Sequence, residues 1–291
     1  MKMESFLSFA EPGKRVRNRI RQFSAVLALA VTAWCIPIQG APIHEAAEFG
    51  DLEKIKACLA QDAKQIDALD AKGRTVMARA VLSRKQEVVV FLLNHGATED
   101  VFAAVAAGHT DKVAAFLKQD PKLVNARDSG GKAPLHRAAI FGQTNVVELL
   151  LKEKADINLL DQDGFTPLHW AVMFNQHDVV EVLLVNKANF SLKVARFGWT
   201  PLRLAVLHGH LETAKALVKG GADVNLKDDE EMPLLSQAVN LGNREMVVFL
   251  LAQKAEVNAK DGEGDTALDE AIETGHKEIA EILRQHGGKQ K

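Results

Sequence analysis

Tyrosine is absent from this chain, and tryptophan occurs only three times. Phenylalanine therefore carries most of the aromatic character, so the placement of each Phe and Trp becomes informative. Cysteine occurs twice, at Cys35 and Cys58, too few for a disulfide framework or a cysteine-based metal site. No excess charge of one sign is present, since the formal net charge is −2 at neutral pH. A chain so balanced carries no electrostatic signature for nucleic acid. No HExxH, GxSxG, phosphate-binding loop or dinucleotide fingerprint occurs, which excludes the chemistries those motifs serve.

Long apolar runs are also scarce. The one that stands out is FSAVLALAVTAWCIPI, Phe23 to Ile38, which follows the basic stretch KRVRNRIR at 14–21. It is shorter than the roughly 20 residues of a membrane-spanning helix and contains Pro37. A basic segment, a short apolar core and the small residues Gly40 and Ala41 together predict a secretory signal peptide over residues 1–40. The remaining chain, 41–291, is then exported, to a periplasm or outside the cell; an uncleaved leader anchors it to the membrane instead. Cleavage after Gly40 removes six basic and two acidic residues, so the exported part is acidic. Cys58 is the cysteine that remains. It sits in KIKACLA beside Leu59 on an apolar stripe and reads as a small core residue.

What the chain has in abundance is repetition. GKAPLHRA at Gly131, GFTPLHWA at Gly164, GWTPLRLA at Gly198 and GDTALDEA at Gly264 share one pattern, with a weaker copy, EEMPLLSQA, from Glu230. Leu135, Leu168, Leu202, Leu234 and Leu268 mark a period of about 32–34 residues, in the range of helical repeat arrays. Thr166 and Thr200 are placed to cap a helix, and Pro167 and Pro201 suit its first turn. Gly142, Gly209, Gly242 and Gly275 stand where this short helix ends. A second helix follows in NVVELLLKE, DVVEVLLVN and EMVVFLLAQ, apolar at i, i+3 and i+4.

The TPLH element and the GADVN element, with its variants KADIN and KAEVN, resemble the ankyrin repeat over about residues 43–288. That resemblance implies a helix–turn–helix in each copy and a β-hairpin finger at each junction. Eight copies are counted, the first (IHEAAEFGDLEKIKACL) and the eighth acting as caps. Between the second and third copies, Leu93 and Val101 are 8 residues apart, whereas the equivalent Leu151 and Leu168 are 17 apart. The spacing predicts a missing finger there. Junctions after copies one and three are about one residue longer than the rest. The array is predicted to be irregular in its N-terminal half and regular from about Gly131.

By the resemblance, His136 and His169 tie adjacent loops together and are structural; Arg203, Leu235 and Asp269 take that position in copies six to eight. His208 and His210, two residues apart, do not share a helical face. The acidic run KDDEEMP, 227–233, reads as a solvated finger tip. Also by the resemblance, partners are held by fingers and by the exposed side of the first helix. Transferred here, those positions are Lys132, Phe165 and Trp199 on fingers, with Phe197 nearby, and Ile140, Phe141, Met173, Phe174, Leu207 and His208 on helices, continued by Asn240 and Leu241. The partner-binding set is Phe141, Phe165, Met173, Phe174, Phe197, Trp199, Leu207 and His208, read as interface anchors in copies four to six.

The sequence thus predicts an all-α solenoid of eight helical pairs: an exported, monomeric module that binds a protein partner through its concave face and fingers. No cofactor, metal ligand or catalytic residue is assigned, nor any nucleic acid, nor a membrane once the leader is gone. The alternative is an accessory or inhibitory subunit of an exported enzyme, with an enzyme itself as the third reading.

Overall fold

A threonine opens half of the copies. Thr75, Thr166, Thr200 and Thr266 hold extended backbone, and each hydroxyl accepts the amide N–H three residues on. That satisfies one of the donors every helix start leaves open. Pro134, Pro167 and Pro201 fill the first helical position, where a missing N–H costs nothing. At the other end of the helix, Gly142 adopts φ 70°. A Cβ there would press on the Gln176 amide group of the next copy, so glycine suits both the turn and the close approach.

The computed structural model describes residues 42–194 and 198–291. The expected leader and Phe197 lie outside the described residues. Among those described, sixteen α-helices form eight consecutive pairs. The first members, here called inner, are α1 (Pro42–Phe49), α3 (Val76–Leu82), α5 (Val101–Ala107), α7 (Pro134–Phe141), α9 (Pro167–Met173), α11 (Pro201–Leu207), α13 (Leu234–Asn240) and α15 (Ala267–Glu273). Their outer partners are α2 (Leu52–Gln61), α4 (Gln86–Asn94), α6 (Thr110–Gln119), α8 (Thr144–Lys152), α10 (His177–Val185), α12 (Leu211–Lys219), α14 (Arg244–Ala252) and α16 (Lys277–Gln285). None of these helices is long and apolar enough to cross a membrane.

Every inner helix packs on the next inner helix along the chain. Between layers, an i, i+1, i+4 set of most outer helices is buried: Val146, Val147 and Leu150 in α8, Val179, Val180 and Leu183 in α10, Met246, Val247 and Leu250 in α14. A helix pair this small cannot offset its ordering entropy alone. Stability is a sum over neighbouring interfaces, as in other solenoids. Ile272 of the last copy shows the same rule from its free side. It is 42% exposed, whereas the equivalent Val172, Val206 and Val239 are covered by the copy that follows.

The fingers are short hairpins closed by isolated bridges at Leu69–Thr75, Val194–Trp199, Lys227–Pro233 and Lys260–Thr266. At the two junctions between, Asp128 N–H donates to Lys132 O and Asp161 N–H to Phe165 O. Between copies two and three there is no room for one. Outer helix α4 ends at Asn94 and α5 begins at Val101, capped by Asp100. The longer junctions after copies one and three are taken up by 3₁₀ turns at Ala63–Asp67 and Pro121–Asn125.

One expected register is off by a residue. Pro233 pairs with Lys227 just as Thr266 pairs with Lys260, and it is the N-cap of α13. Pro233 therefore fills the threonine position and Leu234 the proline position, so Leu235 is the counterpart of Leu168. Ser236, not Leu235, stands where His136 and His169 stand. The period is then 33 or 34 residues throughout copies four to eight.

This register also places Glu231, at φ 58°, where the other fingers have Gly131, Gly164 and Gly264. A non-glycine residue held left-handed is strained by about 1 kcal/mol. Glu231→Gly is expected to raise stability by about that much in urea unfolding; an unchanged or lower midpoint would show that the turn carries no such strain.

Candidate functional site

The fingers are organised around aspartates. Asp70, Asp128, Asp161, Asp228 and Asp261 each use Oδ1 to accept the N–H groups two and four residues on, at 2.8–3.0 Å. This shapes the hairpin turn from within. In Asp128 and Asp161 the second oxygen is aimed at the following inner helix. Trp170 Nε1 donates to Asp161 Oδ2 at 2.8 Å, and Arg137 Nε to Asp128 Oδ2 at 2.6 Å. Nine residues separate donor and acceptor in both. One carboxylate thus sets both the turn and its angle to the helix.

Junctions are fastened by a second device. His136 accepts the Ala133 N–H at Nδ1 and donates from Nε2 to the Phe165 carbonyl at 3.1 Å. His169 accepts at Nδ1 from the Thr166 N–H at 3.2 Å and lies 2.7 Å from its hydroxyl. His44 of the first copy reaches Ala68 O at 2.9 Å in the same way, a member of the series that the TPLH pattern does not reveal. In copy six Arg203 does the work of the histidine. Its buried guanidinium reaches the Met232 and Leu226 carbonyls, Asp228 Oδ2 at 3.0 Å and Gln237 Oε1 at 3.0 Å. Asp269 accepts from Thr266 in the local half of the motif and also from the Lys291 N–H at 3.1 Å.

The expected anchors divide into two groups. Phe165, Met173, Trp199 and Leu207 are buried, which corrects their reading as exposed side chains. The reason is local: Phe165 offers its carbonyl to the preceding copy, and its ring turns inward onto Trp170, with centroids 5.0 Å apart. Phe141, Phe174 and His208 are half-buried at the ends of α7, α9 and α11. They form a row along the inner helices that Leu241 extends at 37% exposure. Phe197 lies outside the described residues.

Trp170 was not singled out from the sequence, where it appears as one letter of a capping motif. It sits at the centre of the aromatic group. Its ring stacks on Phe174 at 5.7 Å, and Lys132 Nζ lies 4.5 Å above it while pairing with Asp161 at 3.0 Å. Burial pushes Asp161 up, but the Lys132 ammonium, the Phe165 amide and the indole together outweigh it and hold the carboxyl below its ordinary value. The 165/170/174 spacing, with 170 and 174 one turn apart, was the available signal.

His208 and His210 do meet, because His210 lies beyond the helix end; their rings stack at 5.6 Å. Burial lowers both, helped at His208 by His210 and opposed at His210 by the Met173 backbone. Cys58 is half-buried against the N-terminal core. No group of three His, Cys, Asp or Glu side chains suited to a metal ion occurs among the described residues. What the arrangement offers is a shaped, partly apolar surface on a stiff frame.

A family model described as ankyrin repeats (3 copies) matches residues 99–161, 145–228 and 225–291. The chain is 28% identical over 213 residues to "Ankyrin repeat protein nuc-2" of Neurospora crassa, covering 70% of this chain and 17% of that protein. It is 28% identical over 128 residues to "Ankyrin repeat and SAM domain-containing protein 6" of Rattus norvegicus, covering 44% and 11%. It is 33% identical over 130 residues to a "Putative ankyrin repeat protein" of Rickettsia felis, covering 44% and 43%. The chain therefore spans less than half the length of each of these relatives.

Burial pushes His136 from 6.5 down to about 4, against the pull of Asp161 and the Phe165 carbonyl. Burial does the same to His169, against the Trp199 and Leu192 backbone, to about 4. Unfolded, both rings protonate near 6.5, so between the two values the unfolded chain binds more protons. Their contribution is complete above pH 6.5 and is lost as pH falls to about 4, on the order of 2–3 kcal/mol for each ring. Ring-carbon NMR at pH 5 is expected to find both imidazoles neutral, with the urea midpoint already falling; rings that titrate near 6.5 in the folded protein would contradict this.

Proposed function

Because the chain belongs to the ankyrin-repeat family, we propose that it is an exported, monomeric protein-binding module that acts without a cofactor through its inner helices and fingers. The observation that carries the reading is how the side chains are divided. The polar groups with the strongest contacts are spent on fastening fingers and junctions, while a largely apolar, half-buried row lines the inner helices. Repeats of this family are protein-interaction modules, and the frame here serves the same end. Binding on a stiff frame avoids the ordering cost that a flexible surface pays on association.

Within this reading, Phe141, Phe174 and His208 give the contacts in copies four to six, and Leu241 extends them. Phe165, Met173, Trp199 and Leu207 act from beneath, holding that row in place. Phe197, two residues before Trp199 in the sequence, completes the proposed set. Export rests on the basic and apolar character of residues 14–38.

Site-specific photo-cross-linking tests the surface. A cross-linking amino acid at His208 or Leu241 is expected to capture a protein from the exported fraction, and one at Val185, 80% exposed on an outer helix, is not. A single stoichiometric partner with enzymatic activity would make this chain its accessory or inhibitory subunit. Capture from Val185 alone would place binding on the outer side and overturn the assignment.

A further inference from the structure

The missing finger has a consequence on the inner face. In the row just before the helix-ending turn, other copies carry large residues: Ile140 and Phe141, Met173 and Phe174, Leu207 and His208. The third copy has Ala106 and Ala107 there. With no hairpin to hold copies two and three apart and only methyl groups at this point, the inner row has a notch. The second copy closes across it.

Three contacts mark the closure. Arg137 Nη1 of α7 reaches the Val81 carbonyl at the end of α3, two copies away, at 3.4 Å. A Cβ on Gly130, in the finger between copies three and four, would come within 2.8 Å of the Leu82 side chain. Most telling, the Arg84 guanidinium carbon stands 3.1 Å from the centroid of the Phe174 ring, three copies along the array. Phe141 of the fourth copy also packs against the core of the first three. Regular stacking places residues of copies two and five far beyond the reach of one side chain, so the array is bent sharply inward here.

Arg84 is also the residue that ends its helix in the left-handed region, at φ 58°. At the same point in other copies stand Gly50, Gly108, Gly142, Gly209, Gly242 and Gly275, with Asn175 in the fifth. The chain thus keeps a strained arginine where the repeat favours glycine. Arg84 stays exposed as a whole, and the partial desolvation its guanidinium meets over the ring lowers it to about 10. A cation over an aromatic face is an attractive contact that partial desolvation strengthens.

We propose that Arg84 on Phe174 is an intramolecular latch that holds the inner face of copies two to five closed, so that a partner reaches the aromatic row there only when the latch opens. The regulatory role rests on the reading of that face as the binding surface; the latch itself does not. Phe174 is then either a ring under Arg84 or a contact for a partner, and the two uses exclude one another. The open part of the row, His208 and Leu241, lies beyond it.

The latch is tested without any partner, by electron–electron distance measurement between spin labels at Glu87→Cys and Asp178→Cys, with Cys35 and Cys58 replaced by serine. Glu87 and Asp178 are exposed and lie in copies two and five. Arg84→Gly removes the guanidinium and gives the turn the residue it has elsewhere, so the fold is expected to survive. The distance distribution should shift to longer values and broaden, with helical content retained. Phe174→Leu, which keeps an apolar side chain but no ring, should do the same. Unchanged distributions in both variants would overturn the latch, whatever is found of the binding surface.

Discussion

A single side chain on an inner helix, reaching forward to a backbone carbonyl of the next junction, is the constraint on which the register of neighbouring copies depends. His44, His136 and Arg203 make the reach in copies one, four and six. Apolar stacking supplies most of the stabilisation but fixes neither register nor angle, because flat layers of Val, Leu and Ala slide at little cost. A buried donor with a carbonyl to find cannot slide, since an unmade bond there costs about 1–3 kcal/mol. Imidazole and guanidinium meet the same demand by different chemistry. The neutral ring fits between two polar groups, whereas Arg203 brings a charge and needs Asp228 to offset its burial.

The finger carboxylates complete the frame. One oxygen organises the turn and the other takes an inner-helix donor, so finger and helix move as one piece. The frame makes the inner row a surface with a defined shape rather than a set of loose side chains. It also explains why the second-to-third junction behaves differently. Without a finger there is no aspartate to set the angle, and α3 leans across the third copy toward the fourth and fifth. A single deletion in the repeat changes local curvature and thereby decides which part of the inner face is open.

Much of the fold was legible because it rests on local chemistry. Threonine caps, prolines at the helix start, glycines at its end and the apolar spacing of the outer helices each act over a few residues, and the missing finger could be counted. Copy seven misled because Pro233 stands in the threonine position and is followed by two leucines, so the pattern fits in either of two registers; only the Lys227–Pro233 pairing separates them. The site was less legible. Whether Phe165 faces solvent depends on which way its finger leans, set by the Asp161–Trp170 bond that spacing alone does not announce. Trp170 was hidden inside a motif already explained. The meeting of Arg84 with Phe174 follows from curvature accumulated over three copies, which no local pattern encodes.

Arg203→Ala, followed by native-state hydrogen exchange with increasing urea, tests the dependence on junction bonds most directly. The substitution removes every bond that Arg203 makes across the sixth junction and leaves Asp228 without its guanidinium. If these bonds couple neighbouring copies, amides of α13 to α16 should open together at lower urea than those of α7 to α10, separating a unit that otherwise opens as a whole. Equal loss of protection in both groups, or none in either, would mean that apolar stacking alone couples the copies.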